Sequence, residues 1–208
     1  MEAQRLAARS ETGGKSRDPG PDDARERTLR TAYELFRRHG VNAVGIDRII
    51  AEAGVAKMSL YRHFGSKDEL VIAVLQRRGE VWTRDWLQRE VERLSPTPAG
   101  RLLAIFDAFE AWFGRPDYDG CLMANCLLES RDRTSPIGSE SVRQLAEVGD
   151  WLRGLAEGAG VSDPASVAGE WQILMLGSIM ATAAGMPDAA ARAREAAKLI
   201  LEREGVAP

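Results

Sequence analysis

Apolar positions recur along this chain at helical spacing, in stretches separated by short polar breaks. Leu29, Ala32, Tyr33 and Phe36 fall at i, i+3, i+4 and i+7, one apolar face of a helix. Asp23 and Glu26 read as a capping box at its start, and Gly40 stops it. A second helix is predicted from about Ile46 to Ala53, with Ile46, Ile49, Ile50 and Ala53 facing inward. Gly54 can take the left-handed conformation that ends it. A third begins near Lys57 and ends near Phe64, anchored by Leu60 and Phe64, which are four apart. Ser66 and Glu69 form another capping box, opening a long helix to about Leu94.

The "SPTP" run at 95–98 breaks the pattern; Thr97 can cap and Pro98 suits a first helical position. The stripe Leu102, Ile105, Phe106, Phe109, Trp112 and Phe113 predicts the next helix. A helix from Cys121 to about Arg131 follows, then one from about Pro136 to Gly158. Another runs from Asp163-Pro164 to about Ala184, and the last from Pro187 to Glu204. The expectation is an all-α fold of about nine helices with no strand. Residues 1–21 end in a Gly/Pro/Ser-rich segment and read as a flexible N-terminal arm.

Two short helices joined by a glycine turn form a helix-turn-helix unit, whose second helix can lie in the major groove of DNA. Here that helix is "KMSLYRHF". Lys57 sits in its first turn, where a cation opposes the helix dipole unless a phosphate is near. Ser59, Tyr61 and His63 can donate to phosphate oxygens. The free N–H groups of the helix opening at Ser66-Lys67 form an anion site, with Lys67 supplying charge. Leu60 reads as core, a methyl contact with DNA being the alternative. A plain core or surface role stays open for Tyr61 and His63. The predicted organisation is an arm over 1–21, a DNA-binding domain over 22–68 and a helical body over 69–208.

Charge distribution sharpens this. The 208-residue chain carries a net charge of −3, with 44% hydrophobic and 28% charged residues, ordinary for a soluble globular protein. From Ala24 to Lys67, however, nine Lys/Arg face four Asp/Glu, while the remainder is strongly acidic. A basic N-terminal third on an acidic body fits a segment that meets a polyanion, although solvated Arg-rich helices share the pattern. In the arm, Arg5, Arg9, Lys15 or Arg17 could add contacts with DNA. No signal peptide opens the chain, and its most apolar stretch, 171–186, is shorter than the roughly 20 residues needed to span a bilayer. A cytoplasmic setting without a membrane partner is expected.

At residues 52–70 the sequence "EAGVAKMSLYRHFGSKDEL" resembles the DNA-binding signature of the TetR family of transcriptional regulators, matched at Gly54, Val55, Lys57, Tyr61, Phe64, Lys67 and Leu70. The preceding "LRTAYELFRRHG" resembles the family's first helix, so the likeness covers about Leu29 to Leu75. It implies phosphate contacts from Tyr61, His63 and Lys67, and base or phosphate contacts from Lys57 and Ser59. Three positions depart from the pattern. Gly45 stands where relatives often have a Thr that caps and touches phosphate, Ala56 where Ser usually caps the recognition helix, and Ile50 where Ala is common. Alanine is the poorer cap by about 1 kcal/mol.

The resemblance also implies a homodimer reading a palindromic operator in double-stranded DNA, and a body that binds a small-molecule effector. Small residues recurring on the last two helices suggest the dimer seam: Gly177, Ser178, Ala181, Thr182, Ala193 and Ala197, with intrachain packing as the other reading. Candidates for touching an effector are Trp86, Phe106, Phe109, Phe113, Met123, Cys126, Trp151 and Met175. Few charges interrupt these stripes, so an apolar or aromatic effector is expected. The "GCL" run at Cys121 resembles a subgroup of the family in which some cysteines sense electrophiles or oxidants. Cys121 and Cys126 are five apart with no accompanying His, which argues against zinc; no cofactor is expected. No linked nucleophile and base, metal-binding or phosphate-loop motif stands out, which argues against an enzyme. The expected function is a ligand-responsive repressor; an architectural DNA-binding protein and, further off, an all-helical enzyme are the alternatives.

Overall fold

The computed structural model describes residues 22–116, 118 and 120–207, so the arm over 1–21 and its basic residues lie outside the described residues. Among the described residues there are nine helices and no strand. They are α1 (Asp22–His39), α2 (Ile46–Ala53), α3 (Lys57–Phe64), a rod α4, α5 (Pro98–Phe113), α6 (Leu122–Ser130), α7 (Pro136–Ala159), α8 (Pro164–Ala183) and α9 (Ala189–Arg203). The all-α expectation holds, and the helices follow the predicted order.

Side-chain caps set four of the helix starts. Ser66, Thr97, Ser135 and Asp163 each accept a hydrogen bond from the backbone N–H three residues on. Three of these caps are followed by proline, Pro98, Pro136 and Pro164, whose missing N–H costs nothing in a first turn. Both carboxylate oxygens of Glu26 hold the Arg77 guanidinium, at 2.6 and 2.7 Å, and tie α1 to α4; the side chain of Asp23, its expected partner in a capping box, lies outside the described residues.

The rod α4 consists of Lys67–Arg78, Gly79–Gln88 and Arg89–Leu94. Its middle ten residues are π-helical, which spacing alone did not foretell. At the start of that segment, a side chain on Gly79 would meet Gln144 Oε1 of α7 at 2.0 Å, so glycine allows the two helices to approach. Along it, Trp82 and Trp86 stack 5.2 Å apart, and Trp82 lies 4.7 Å from Trp112 of α5.

Two apolar cores form. The first gathers Leu29, Leu35 and Phe36 of α1, Ile49 of α2, Leu60 and Phe64 of α3, and Leu70, Val74 and Leu75 of α4. It also takes in Leu122, Met123 and Cys126 of α6, far away in sequence. The start of α4 and the buried side chains of α6 therefore share a core with the N-terminal helices. The second core fills the space between α5, α7, α8, α9 and the distal part of α4. Trp171, Phe106 and Phe109 are its largest fully buried members, and the Trp171 indole donates to the Leu102 carbonyl at 3.0 Å.

Leu60 is 0% exposed and seats α3 on the first core. Leu60→Ala is expected to cost about 2–5 kcal/mol through lost burial and a residual cavity. Urea unfolding measures this directly; a loss below about 1 kcal/mol would mean that α3 is seated some other way.

Candidate nucleic-acid interface and internal cavity

The two helices of the turn are short because their ends are fixed. Gly54 closes α2 in the left-handed region, at φ 62°, with its N–H directed to Ala51 and Ile50 carbonyls. Gly65, at φ 65°, turns the chain from α3 into α4. Neither α2 nor α3 receives a side-chain cap from Gly45 or Ala56, although both have extended backbone that would suit a capping residue.

Helix α3 divides cleanly. Leu60 and Phe64 point into the core, while Lys57, Met58, Tyr61 and Arg62 face solvent. Leu60 therefore leaves the set of predicted DNA contacts: a side chain with no exposed surface cannot touch a base. Met58, 80% exposed, was missed because a lone methionine in an amphipathic pattern reads as core. In this position it is an apolar group that a thymine methyl could meet. Gly45 is exposed at the start of α2, and Ser59 is half-buried.

The polar candidates are partly engaged within the chain. Lys57 Nζ lies 3.1 Å from Asp47 Oδ1 of α2, and the hydrogen bond to that carboxylate raises the Lys57 pKa. The pair is exposed on both sides and so contributes little to stability. Lys67 Nζ donates to the Val41 carbonyl at 2.7 Å, fastening the loop between α1 and α2. That loop is also held from α6: the Asn42 N–H donates to Glu129 Oε2 at 2.9 Å. Lys67 thus has a structural partner besides any phosphate. The His63 ring is half-buried, and its Nε2 is enclosed without a hydrogen-bond partner, so that nitrogen does not face outward. At the start of α4, Asp68 and Glu69 sit in the first turn, where they complement the helix dipole and oppose an incoming anion.

Behind this surface, a small cavity of about 40 Å³ lies between α4, α5, α7, α8 and the start of α6. Phe109, Met123 and Met175 line it, among the predicted contacts. Trp86, Phe106, Phe113, Cys126 and Trp151 do not. Phe106 packs on Trp171 in the second core, Cys126 belongs to the first, and Trp86, Phe113 and Trp151 pack around the second. Apolar periodicity identified large inward side chains but could not say which border empty space. The wall also contains Arg78, Trp82, Thr83, Trp112, Cys121 and Gln172. Arg78 and Thr83 carried no apolar signal and were missed.

Burial raises the pKa of both thiols, Cys126 to about 12. The positive charge of Arg78 opposes this at Cys121 without reversing it. Both thiols are held protonated at neutral pH, the unreactive form.

The predicted seam divides too. Ser178, Ala193 and Ala197 are buried within the chain, where Ser178 Oγ donates to the Met175 carbonyl. Their small size serves packing of α8 and α9 onto the second core. Ala181 and Thr182 are half-buried, and Gly177 is exposed with nothing near its α-carbon. On the same helix Ile173 (72%) and Met180 are exposed apolar side chains, as is Leu199 (66%) on α9. Among the described residues no helix is long and apolar enough to cross a membrane, and no cluster of His, Cys, Asp or Glu could hold a metal ion.

Residues 29–74 match the profile described as "Bacterial regulatory proteins, tetR family". The HTH-type transcriptional activator FasR of Mycolicibacterium smegmatis is 43% identical over 109 residues, which cover 51% of this chain and 49% of that protein. The HTH-type transcriptional repressor SCO4008 of Streptomyces coelicolor is 38% identical over 58 residues, 28% of this chain and 30% of that one. The chain thus spans about half the length of the first of these relatives and less than a third of the second. Solved structures match more widely. A tetR-type transcriptional regulator of Streptomyces avermitilis shares 27% identity, with a TM-score of 0.78 over 91% of this chain and 100% of that one. The TetR-family regulator SCO4454 of Streptomyces coelicolor shares 26% identity, with a TM-score of 0.78 over 88% and 96%.

The uncapped recognition helix has a measurable consequence. Ala56→Ser should raise stability by about 1 kcal/mol by supplying a side-chain acceptor to the first turn of α3. Thermal or urea unfolding reads the shift, and a neutral or destabilising result would show that the position cannot serve as a cap.

Proposed function

We propose that this chain is a TetR-family transcriptional regulator, a dimeric repressor that binds a palindromic operator and is released by a small effector, a reading supported by the profile match and the similar solved structures. The observation that carries the reading is the division of α3: an apolar face buried in the first core and an outward face bearing Lys57, Met58, Tyr61 and Arg62. A helix presented in this way fits the major groove, with Met58 and Tyr61 toward base edges and cations toward backbone phosphates. The match to a tetR-family profile over residues 29–74 supports the same role for this stretch.

Two copies are needed to place recognition helices one DNA turn, about 34 Å, apart. The exposed apolar side chains Ile173 and Met180 on α8 and Leu199 on α9 support a four-helix seam between copies, with Gly177 allowing close approach. Repression is the economical sense, because occupying a promoter requires only DNA binding, without a second surface for polymerase. One relative is named an activator and another a repressor, so a reporter assay with the operator at its natural position decides the sign.

Release follows from the position of α6. Met123 lines the cavity, and together with Leu122 and Cys126 it packs in the core that supports α3. A ligand that prefers a different spacing of the cavity walls shifts α6, and with it the orientation of the DNA-binding helices, by no more than its differential affinity for the two arrangements.

DNA flanking the chain's own coding region should contain an inverted repeat that the protein retards in a mobility-shift assay. Lys57→Ala should weaken binding to specific and random DNA alike and lower the salt slope by about 1. Asp47→Asn should tighten binding, because it removes a carboxylate that holds Lys57 and repels phosphate; unchanged or weaker binding would take Lys57 off the phosphate backbone. Ile173→Arg combined with Met180→Arg should convert a dimer to a monomer in sedimentation analysis. A dimer that survives both charges would place the seam elsewhere.

A further inference from the structure

Resting on the DNA-binding reading above, we propose that the turn after α6 makes a second contact with the duplex: Arg131 and Arg133 meet backbone phosphates that flank the half-site read by α3. The end of α6 is fastened to the loop between α1 and α2. The Asn42 N–H donates to Glu129 Oε2 at 2.9 Å, and the Asn42 side-chain amide donates to the Glu129 carbonyl at 3.2 Å. A side chain on Gly40 would meet Glu129 Oε1 at 2.8 Å, so the loop and the helix end lie close together. Asn42 stands three residues before Gly45, where α2 begins. Three residues span at most roughly 10 Å. The leading helix of a helix-turn-helix unit crosses the sugar–phosphate backbone, so the end of α6 lies beside the stretch of chain that runs to the duplex. Arg131 is two residues beyond Glu129.

Both arginines are exposed, and neither pairs with a carboxylate among the described residues. On the helices of the body, by contrast, Arg84, Arg89, Arg143, Arg153 and Arg192 each hold one. Asp132, between the two arginines, spends Oδ1 on the N–H and the hydroxyl of Thr134, at 2.8 and 2.7 Å. The turn therefore offers two uncommitted guanidinium groups, and phosphate is the anion whose geometry they match.

The backbone favours a retained side chain at this place. Arg131 has φ 53°, and among the described residues it is the one non-glycine residue with positive φ. Glycine occupies such a helix end without a steric penalty. An arginine there gives up stability, and outliers of this kind gather where a side chain serves function. The turn is also braced: Ser130 Oγ donates to the Leu127 carbonyl at 2.9 Å and Ser135 Oγ to the Asp132 carbonyl at 2.7 Å. A side chain on Gly138 of α7 would meet that same Asp132 oxygen at 2.0 Å. Cations carried on a fixed turn lose less freedom on binding than cations on a loose one. Contacts with phosphate add affinity and salt dependence without adding sequence preference.

For the test, the full chain selects a duplex from a randomised library. That duplex is then made in two lengths, one ending at the selected inverted repeat and one extended by a helical turn, about 10 base pairs, on each side. In titrations over a range of KCl concentrations the wild type should bind the longer duplex more tightly. Its salt slope there should be steeper by roughly 2 to 4, as two copies each neutralise one or two further phosphates. Arg131→Gly should remove about 2 of that excess and at the same time raise the melting temperature of the free protein, whereas loss of a structural arginine would lower it. Arg131→Lys should keep most of the excess. Arg131→Gly combined with Arg133→Gln should bind both lengths alike and match the wild type on the shorter one. If the double variant fails to fold, Arg131→Gly carries the test. Equal binding of the two lengths by the wild type overturns the proposal, as does a loss in the variants that is the same on both. A chain that enriches no sequence and retards neither duplex refutes the DNA-binding reading itself and takes the proposal with it.

Discussion

The double seating of α6 is the constraint on which the rest of the structure depends. Leu122 and Met123 face the cavity, and the same residues pack with Cys126 among Leu29, Phe36 and Leu75 in the N-terminal core. At the far end of the helix, Glu129 accepts from the backbone of Asn42 in the loop before α2. One nine-residue helix thus borders the internal space and holds the element that precedes the helix-turn-helix unit. Close-packed interiors transmit displacement because they contain few voids to absorb it. A change in the cavity wall cannot remain local while α6 is held in this way.

The recognition helix depends on this support because its own resources are slight. Eight residues make a marginal helix in isolation, and α3 lacks a side-chain cap. Burial of Leu60 and Phe64 against α1 and α4 supplies the stability. On its outward surface Lys57 pairs with Asp47, an exposed ion pair that contributes little to stability. A rigid inner face and a loosely held outer face suit a helix that must keep its place while its side chains exchange partners.

The body solves a different problem. Trp82, Trp86, Phe109, Trp112, Phe113 and Tyr118 form a continuous aromatic cluster with ring centres between 4.7 and 6.5 Å apart where they adjoin. Large flat side chains do not fill space as evenly as aliphatic ones, and the cavity opens along one side of the cluster. Tyr118 closes it toward α8, its hydroxyl donating to the Ile179 carbonyl at 2.7 Å. The π-helical stretch of α4 belongs to the same arrangement, since it carries Trp82 and Thr83 to the wall while Gly79 lets α7 come close.

The sequence by itself determined the all-α class, the order of the helices, the caps at Ser66 and Thr97 and the helix-turn-helix unit. Those features rest on local rules: apolar spacing, cap chemistry, and glycines at Gly54 and Gly65 where φ is positive. It also marked which residues face inward, but only the tertiary structure decided which core each one joins. Cys126 and Met123 could not be assigned to the N-terminal core from their own segment, because their partners lie some 50 to 100 positions away. Likewise Ala193 and Ala197 pair with the second core, while Ile173 and Leu199 are left on the surface. Helical periodicity fixes a direction around one axis; what lies in that direction is set by how the axes pack.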